Sequence, residues 1–76
     1  MIKERYTIQT FRGFQCVDDY QQAYVIAAEM IEGIKQDMWC NDYWWARIID
    51  NHKGLSRLIW LRGNYCWQQT QWLHLV

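Results

Sequence analysis

The chain has 76 residues and zero formal net charge, with no Pro and with six Trp, five Tyr and two Phe. That length is one domain, residues 1–76, able to bury roughly 60% of the surface its unfolded form exposes. The composition excludes a disordered or linker segment. The apolar runs fall far short of the ~20 residues that span a bilayer, and no charged-then-apolar leader opens the chain, so a soluble cytoplasmic protein without membrane contact is expected.

Residues 2–11, IKERYTIQTF, alternate: Ile2, Tyr6 and Ile8 fall on one face, Lys3, Arg5, Thr7 and Gln9 on the other. This predicts a half-buried strand, ended or bent at Arg12-Gly13. A helix is predicted over 17–35, because Asp18 and Gln21 have capping-box spacing. Tyr20, Ala23, Tyr24, Ala27, Ile31 and Ile34 recur at steps of three and four and make one apolar stripe. Gly33 either caps this helix or lies inside one that reaches about residue 37. Three strand-like runs follow, YWWARIID (43–50), LSRLIWLR (55–62) and YCWQQTQWLHLV (65–76). NHKG separates the first two as a four-residue hairpin loop, and Gly63-Asn64 separates the last two as a two-residue turn. The expected fold is α+β, a small β-α-β-β-β domain with one helix packed on one face of an antiparallel sheet.

Tyr43-Trp44-Trp45 stands in the first of these runs, and neighbours in a strand point to opposite faces. If residues 51–54 are a loop, Trp45 opposes Trp60; if Gly63-Asn64 is the turn, Trp60 opposes Trp67. The two turns therefore build a ladder of Trp45, Trp60 and Trp67. Tyr43, Arg47, Arg62 and Tyr65 share that face. The other face carries Trp44, Ala46, Ile48, Leu55, Ile59, Leu61, Cys66, Thr70 and Trp72, with Arg57 and Gln68 as exceptions. A helix packs more readily on this smaller, more aliphatic set. The ladder face is then open, aromatic, Arg-bearing and poor in Lys and Glu, as protein interfaces are. A slip of one residue would exchange the faces and make the ladder core or a dimer seam.

Charge is segregated. Lys3, Arg5 and Arg12 outweigh Glu4 at the start, residues 13–42 hold six carboxylates against Lys35, and Arg47, Lys53, Arg57 and Arg62 outweigh Asp50 in the remainder. Such asymmetry can steer a partner. Cys16, Cys40 and Cys66 are odd in number, with no C-x-x-C pair, so three reduced and mostly buried thiols are expected. His52 and His74 complete no metal-ligand spacing. Cys66 and His74, four positions apart in a regular strand, would lie roughly 13 Å apart, too far for proton transfer. No catalytic motif, cofactor fingerprint or metal site is read.

The N-terminal strand, the AYVIAAEM helix and the short strands YWWARIID and LSRLIWLR give a layout that resembles small phage-encoded anti-CRISPR proteins of type I systems. The resemblance covers most of the chain but is one of layout, so it transfers no functional residue. It implies binding to a CRISPR effector surface and blocking of nucleic-acid engagement. Members that mimic DNA are strongly acidic; this neutral chain departs from them, which speaks against mimicry. The expectation is a non-enzymatic protein-binding module, an inhibitor that sterically blocks a larger host or effector complex with Tyr43, Trp45, Arg47, Trp60, Arg62, Tyr65 and Trp67. The alternative is a single-stranded nucleic-acid binder stacking bases on the same rings. A homodimer on the ladder is a third.

Overall fold

The alternation near the N-terminus forms β1 (Tyr6–Thr10), with Tyr6 and Ile8 buried and Gln9 exposed. The computed structural model describes residues 3–63 and 66–74. The expectations for Ile2, Asn64, Tyr65 and residues 75–76 lie outside the described residues. Beyond Phe11-Arg12 the chain does not go straight into the helix. It returns as β2 (Gly13–Val17), antiparallel to β1, with Thr10 opposite Gly13 and Tyr6 opposite Val17. The helix is capped one residue later than its capping-box spacing suggests, and β2 occupies the residues just before the two aspartates. Asp19 accepts the Gln22 N–H at 3.2 Å, while Asp18 accepts the Arg5 N–H at 3.3 Å and ties down the strand end.

The helix α1 (Tyr20–Asp37) runs through Gly33 and buries Ala23, Ala27, Ile31 and Ile34. It closes when the Met38 N–H donates to the Ile34 carbonyl at 2.7 Å. Its orphan carbonyls are served further by Trp44, whose indole N–H donates to the Met38 carbonyl at 2.6 Å. A 3₁₀ turn, Asn41–Tyr43, then leads into β3 (Trp45–Asp50). The loop 51–54 has the expected four residues, since Asp50 pairs with Leu55 at the start of β4 (Leu55–Arg62). Asp50 holds it: its carboxylate accepts the N–H groups of His52 and Lys53 at 3.0 and 3.1 Å, and its carbonyl accepts that of Gly54 at 2.9 Å. Gly54 takes a φ of 66°, which a side chain would resist.

The last strand departs from expectation. Arg62 pairs with Cys66, so three residues separate the hairpin partners rather than two. Gly63, with a φ of 69°, opens this longer connection. In β5 (Cys66–Gln69), Trp67 therefore opposes Leu61 and Gln68 opposes Trp60. The slip of one residue moves Trp67 from the ladder face to the helix face, where it packs against the core. Cys66 moves the other way and is exposed. A second shift separates β5 from β6 (Leu73–His74), because Ser56 opposes Leu73 while Ile59 opposes Gln69. Residues 70–72 thus face only 57–58, which is a bulge. Thr70 fills it with its N–H donated to the Leu58 carbonyl at 2.9 Å and its hydroxyl accepting the Leu58 N–H at 3.0 Å. Trp67 and Trp72 are an odd number of residues apart, and the bulge is what lets both pack toward the helix.

The result is one helix on an antiparallel sheet of order β2-β1-β3-β4-β5, with β6 on the far end of β4. The α+β class and the layering are as the sequence indicates; the strand before the helix is a two-stranded hairpin. The core between the layers is Tyr6, Ile8, Ala46, Ile48, Ile59 and Leu61 against the helix stripe, with Trp44 at one end. Each fully buried aliphatic here contributes about 1.5–3 kcal/mol. Arg57 is the odd residue on this face. It donates to the Tyr20 hydroxyl at 2.7 Å and lies 4.8 Å over the Trp72 ring, so its charge is held among aromatic side chains rather than against the aliphatic core.

Candidate functional site: the open aromatic sheet face

The side of the sheet away from α1 is built from cross-strand rows. Trp45 stands opposite Trp60 as the first hairpin dictates, and Trp60 opposite Gln68. The next row runs Phe14, Gln9, Arg47, Leu58, and the one after it Cys16, Thr7, Ile49, Ser56, Leu73. Trp45, Leu58 and Trp60 are half-buried and Arg47 and Arg62 exposed. Phe14 is 72% exposed. Among the described residues no second layer lies over this face.

A shallow cleft of about 350 Å³ opens beside the Trp pair, lined by Trp45, Arg47, Leu58 and Trp60 and closed at one end by Asn41, Asp42 and Trp44. An apolar floor with one cation and one carboxylate at its rim can take a side chain that is itself amphipathic. Tyr43, in the 3₁₀ turn before β3, is 40% exposed, and its ring meets Phe11 of the β1–β2 turn at 5.1 Å. The Arg12–Asp37 pair at 2.6 Å braces the same tip against the end of α1.

Of the seven residues expected on this surface, Trp45, Arg47, Trp60 and Arg62 share this face of β3 and β4, and Tyr43 stands in the turn before β3 against Phe11. Trp67 does not share the face, for the reason of register given above. Tyr65 lies outside the described residues. Phe11, Phe14 and Leu73 join the surface without having been anticipated. Gly13-Phe14-Gln15-Cys16-Val17 carries the aromatic and β-branched content of a strand, but between the break at Arg12-Gly13 and the helix start it is too short a run to show an alternation. Trp39, 93% exposed at the end of α1, also had no periodic partner to announce it.

The ionisable groups with clear perturbation lie on the other face. Burial by itself would raise the Asp50 carboxyl. The Arg5 guanidinium at 3.2 Å and the N–H groups of Lys53 and His52 outweigh this and hold it below the usual carboxylate value. The hydrogen bond to Asp50 correspondingly raises Arg5. This pair anchors the loop 51–54 and is structural. All three thiols are free, but Cys40 and Cys66 are exposed and only Cys16 is half-buried, so the expectation of mostly buried thiols is corrected. Cys66 and His74 sit opposite Arg62 and Leu55, at the two ends of β4. Among the described residues no three His, Cys, Asp or Glu side chains gather as metal ligands, and no helix is long and apolar enough to cross a membrane.

Comparison with protein-family models, with characterised proteins and with solved structures gives no match.

Proposed function

We propose that the chain is a non-enzymatic protein-binding module of the cytoplasm, and that it inhibits a larger partner by covering a functional surface with its open sheet face. One observation carries this reading. Trp45 and Trp60 stand side by side on the uncovered face, while the adjacent Trp44 is buried beneath the helix. A domain this small gains from every indole it can bury, so two withheld from the core and flanked by Arg47 and Tyr43 have the make-up of interface anchors. Free thiols suit a reducing compartment.

The test is capture of host proteins by the immobilised chain and by the Trp45→Ala/Trp60→Ala variant, with and without nuclease and at two salt concentrations. A partner retained by the wild type after nuclease treatment and lost by the variant supports the reading. Equal capture by both sinks it. Exposed Arg47 and Arg62 beside the rings favour single-stranded nucleic acid as the second reading. In that case retention disappears with nuclease and falls steeply with salt, because phosphate contacts release counterions. The narrower proposal, an anti-CRISPR-like inhibitor of a type I effector, rests on layout. It requires that the chain suppress target binding by a purified effector and that the double variant not do so.

A further inference from the structure

We infer that the chain self-associates edge to edge through β2, forming a two-fold dimer with one sheet running through both copies. In an antiparallel sheet successive residues direct their N–H and C=O to alternate sides. The Asn51 N–H donates to the Arg5 carbonyl at 2.7 Å, in line with the β1–β3 register of Thr7 opposite Ile49. Arg5, Thr7 and Gln9 thus serve β3, and Tyr6, Ile8 and Thr10 serve β2. Their partners Val17, Gln15 and Gly13 point back at β1. Phe14 and Cys16 are left with both backbone groups directed outward, at the end of the strand order.

Natural edge strands are guarded by charge, Pro, a bulge or a covering segment. Gly13–Val17 is regular in register and carries neither Pro nor charge. The helix packs mainly on β1 and β3, and among the described residues no strand pairs with the outer edge of β2. The occupant is indicated by the sequence around Gln15, which is complementary to itself. A two-fold axis through Gln15 sets Phe14 against Cys16 of the second copy and Gly13 against Val17. It also sets the two Gln15 amides against each other, and Arg12 against Asp18 at both ends. The outward groups of Phe14 and Cys16 then form the hydrogen-bonded pairs, as the geometry requires. Centring on Phe14 or Cys16 instead would put Arg12 against Cys16, or Phe14 against Asp18, and lose the charge pairing. In the single chain the Arg12 guanidinium makes an exposed bridge to Asp37 and lies 5.8 Å from the centre of the Phe11 ring, and an Asp18 carboxylate oxygen accepts the Arg5 N–H, so both retain capacity for a further partner. The axis is normal to the sheet, so both Trp45–Trp60 faces end on the same side and make one doubled surface. A five-residue edge is smaller than the roughly 1,200–2,000 Å² of standard interfaces, so association is expected to depend on concentration.

Sedimentation of the full chain over a dilution series should show a monomer–dimer equilibrium. Phe14→Pro removes an outward N–H without touching the β1 ladder and should give a folded monomer by circular dichroism. Should that variant fail to fold, Arg12→Asp should weaken the dimer about tenfold or more by like-charge contact, with Asp18→Arg in the same chain restoring it. Register is read by cross-linking. With Cys16, Cys40 and Cys66 changed to Ser, Gln15→Cys sits at a close non-hydrogen-bonded pair and should oxidise to a linked dimer. A chain keeping only Cys16 should not. A wild type monomeric throughout, or a dimer that survives Phe14→Pro and is not linked through residue 15, overturns the inference.

Discussion

Trp44 and Trp45 are neighbours in the chain and lie on opposite sides of one sheet. Trp44 is 8% exposed, hydrogen-bonded to the end of α1 and overlain by the Lys35 ammonium at 5.6 Å. Trp45 is half-buried beside Trp60 with nothing above it among the described residues. The covered face is made of Ala, Ile and Leu, on which a helix with Ala23 and Ala27 in its stripe can sit close. The open face is made of indoles, Arg and Gln, too bulky and too polar to accept that helix. Side-chain size and polarity, rather than total hydrophobicity, decide which face becomes core.

The comparison breaks first at Trp44. Trp44→Ala is expected to cost about 3–5 kcal/mol, a large share of the stability of so small a domain. Denaturant unfolding measures it, and a normally stable Trp44→Ala would reverse the assignment of faces. The covered face also holds the Arg5–Asp50 pair, and Asp50→Asn should cost about 1–3 kcal/mol by weakening the acceptor of three hydrogen bonds. Its pH dependence has a definite sign. The folded carboxyl titrates below its ordinary value, so its contribution is complete above about pH 4 and is lost as pH falls through the lowered folded value. Wild-type stability should fall on that acid limb, and Asp50→Asn should show a shallower fall.

Much of this contrast is legible in the sequence. The four-residue spacing of NHKG fixes Trp45 against Trp60, and the alternation of Trp44, Ala46 and Ile48 names the covered face. What escaped notice lies where local signals compete. Asp18 has the capping-box spacing but Asp19 is the cap, and residues 13–16, between the predicted strand and the predicted helix, are too short a run to announce β2. Gly63-Asn64 reads as a two-residue turn, and the one residue by which the observed connection exceeds it decides which face Trp67 joins. The bulge at Thr70 has no pattern in the sequence at all, since its hydroxyl stands in for a backbone acceptor. The placement of side chains on the open face accordingly follows the sequence at the first hairpin and departs from it at Trp67 in the second.

On the open face the effects on stability are smaller. Trp45→Ala and Trp60→Ala should each cost about 1–2 kcal/mol, from a cross-strand pair and partial burial. The same substitutions should weaken partner binding by about 2 kcal/mol or more if these rings are anchors. The ratio is the diagnostic. Trp44→Ala loses fold and binding together, whereas Trp45→Ala loses binding in a protein that still unfolds cooperatively. Titration of a captured partner alongside unfolding curves gives both numbers, and parallel loss of the two for Trp45→Ala would mean that the ring is core in solution.

The smallest effect separates two solvent-facing surfaces. The outer side of α1 carries Glu29, which is exposed, and Glu32, which is half-buried, and it is as accessible as the sheet face but acidic instead of aromatic. Replacing both with Gln should change stability by less than about 1 kcal/mol, as surface substitutions do. If contact is made through Trp45 and Trp60, binding should also hold, with at most a slower association where the partner is basic, because distant charge steers encounter more than it holds a complex. Association and dissociation rates measured separately distinguish the cases. A faster dissociation of the Glu29→Gln/Glu32→Gln variant would place the helix inside the contact. The sheet face would then be only part of the binding surface, and the acidic block in the middle of the chain would be the feature that recognises the partner.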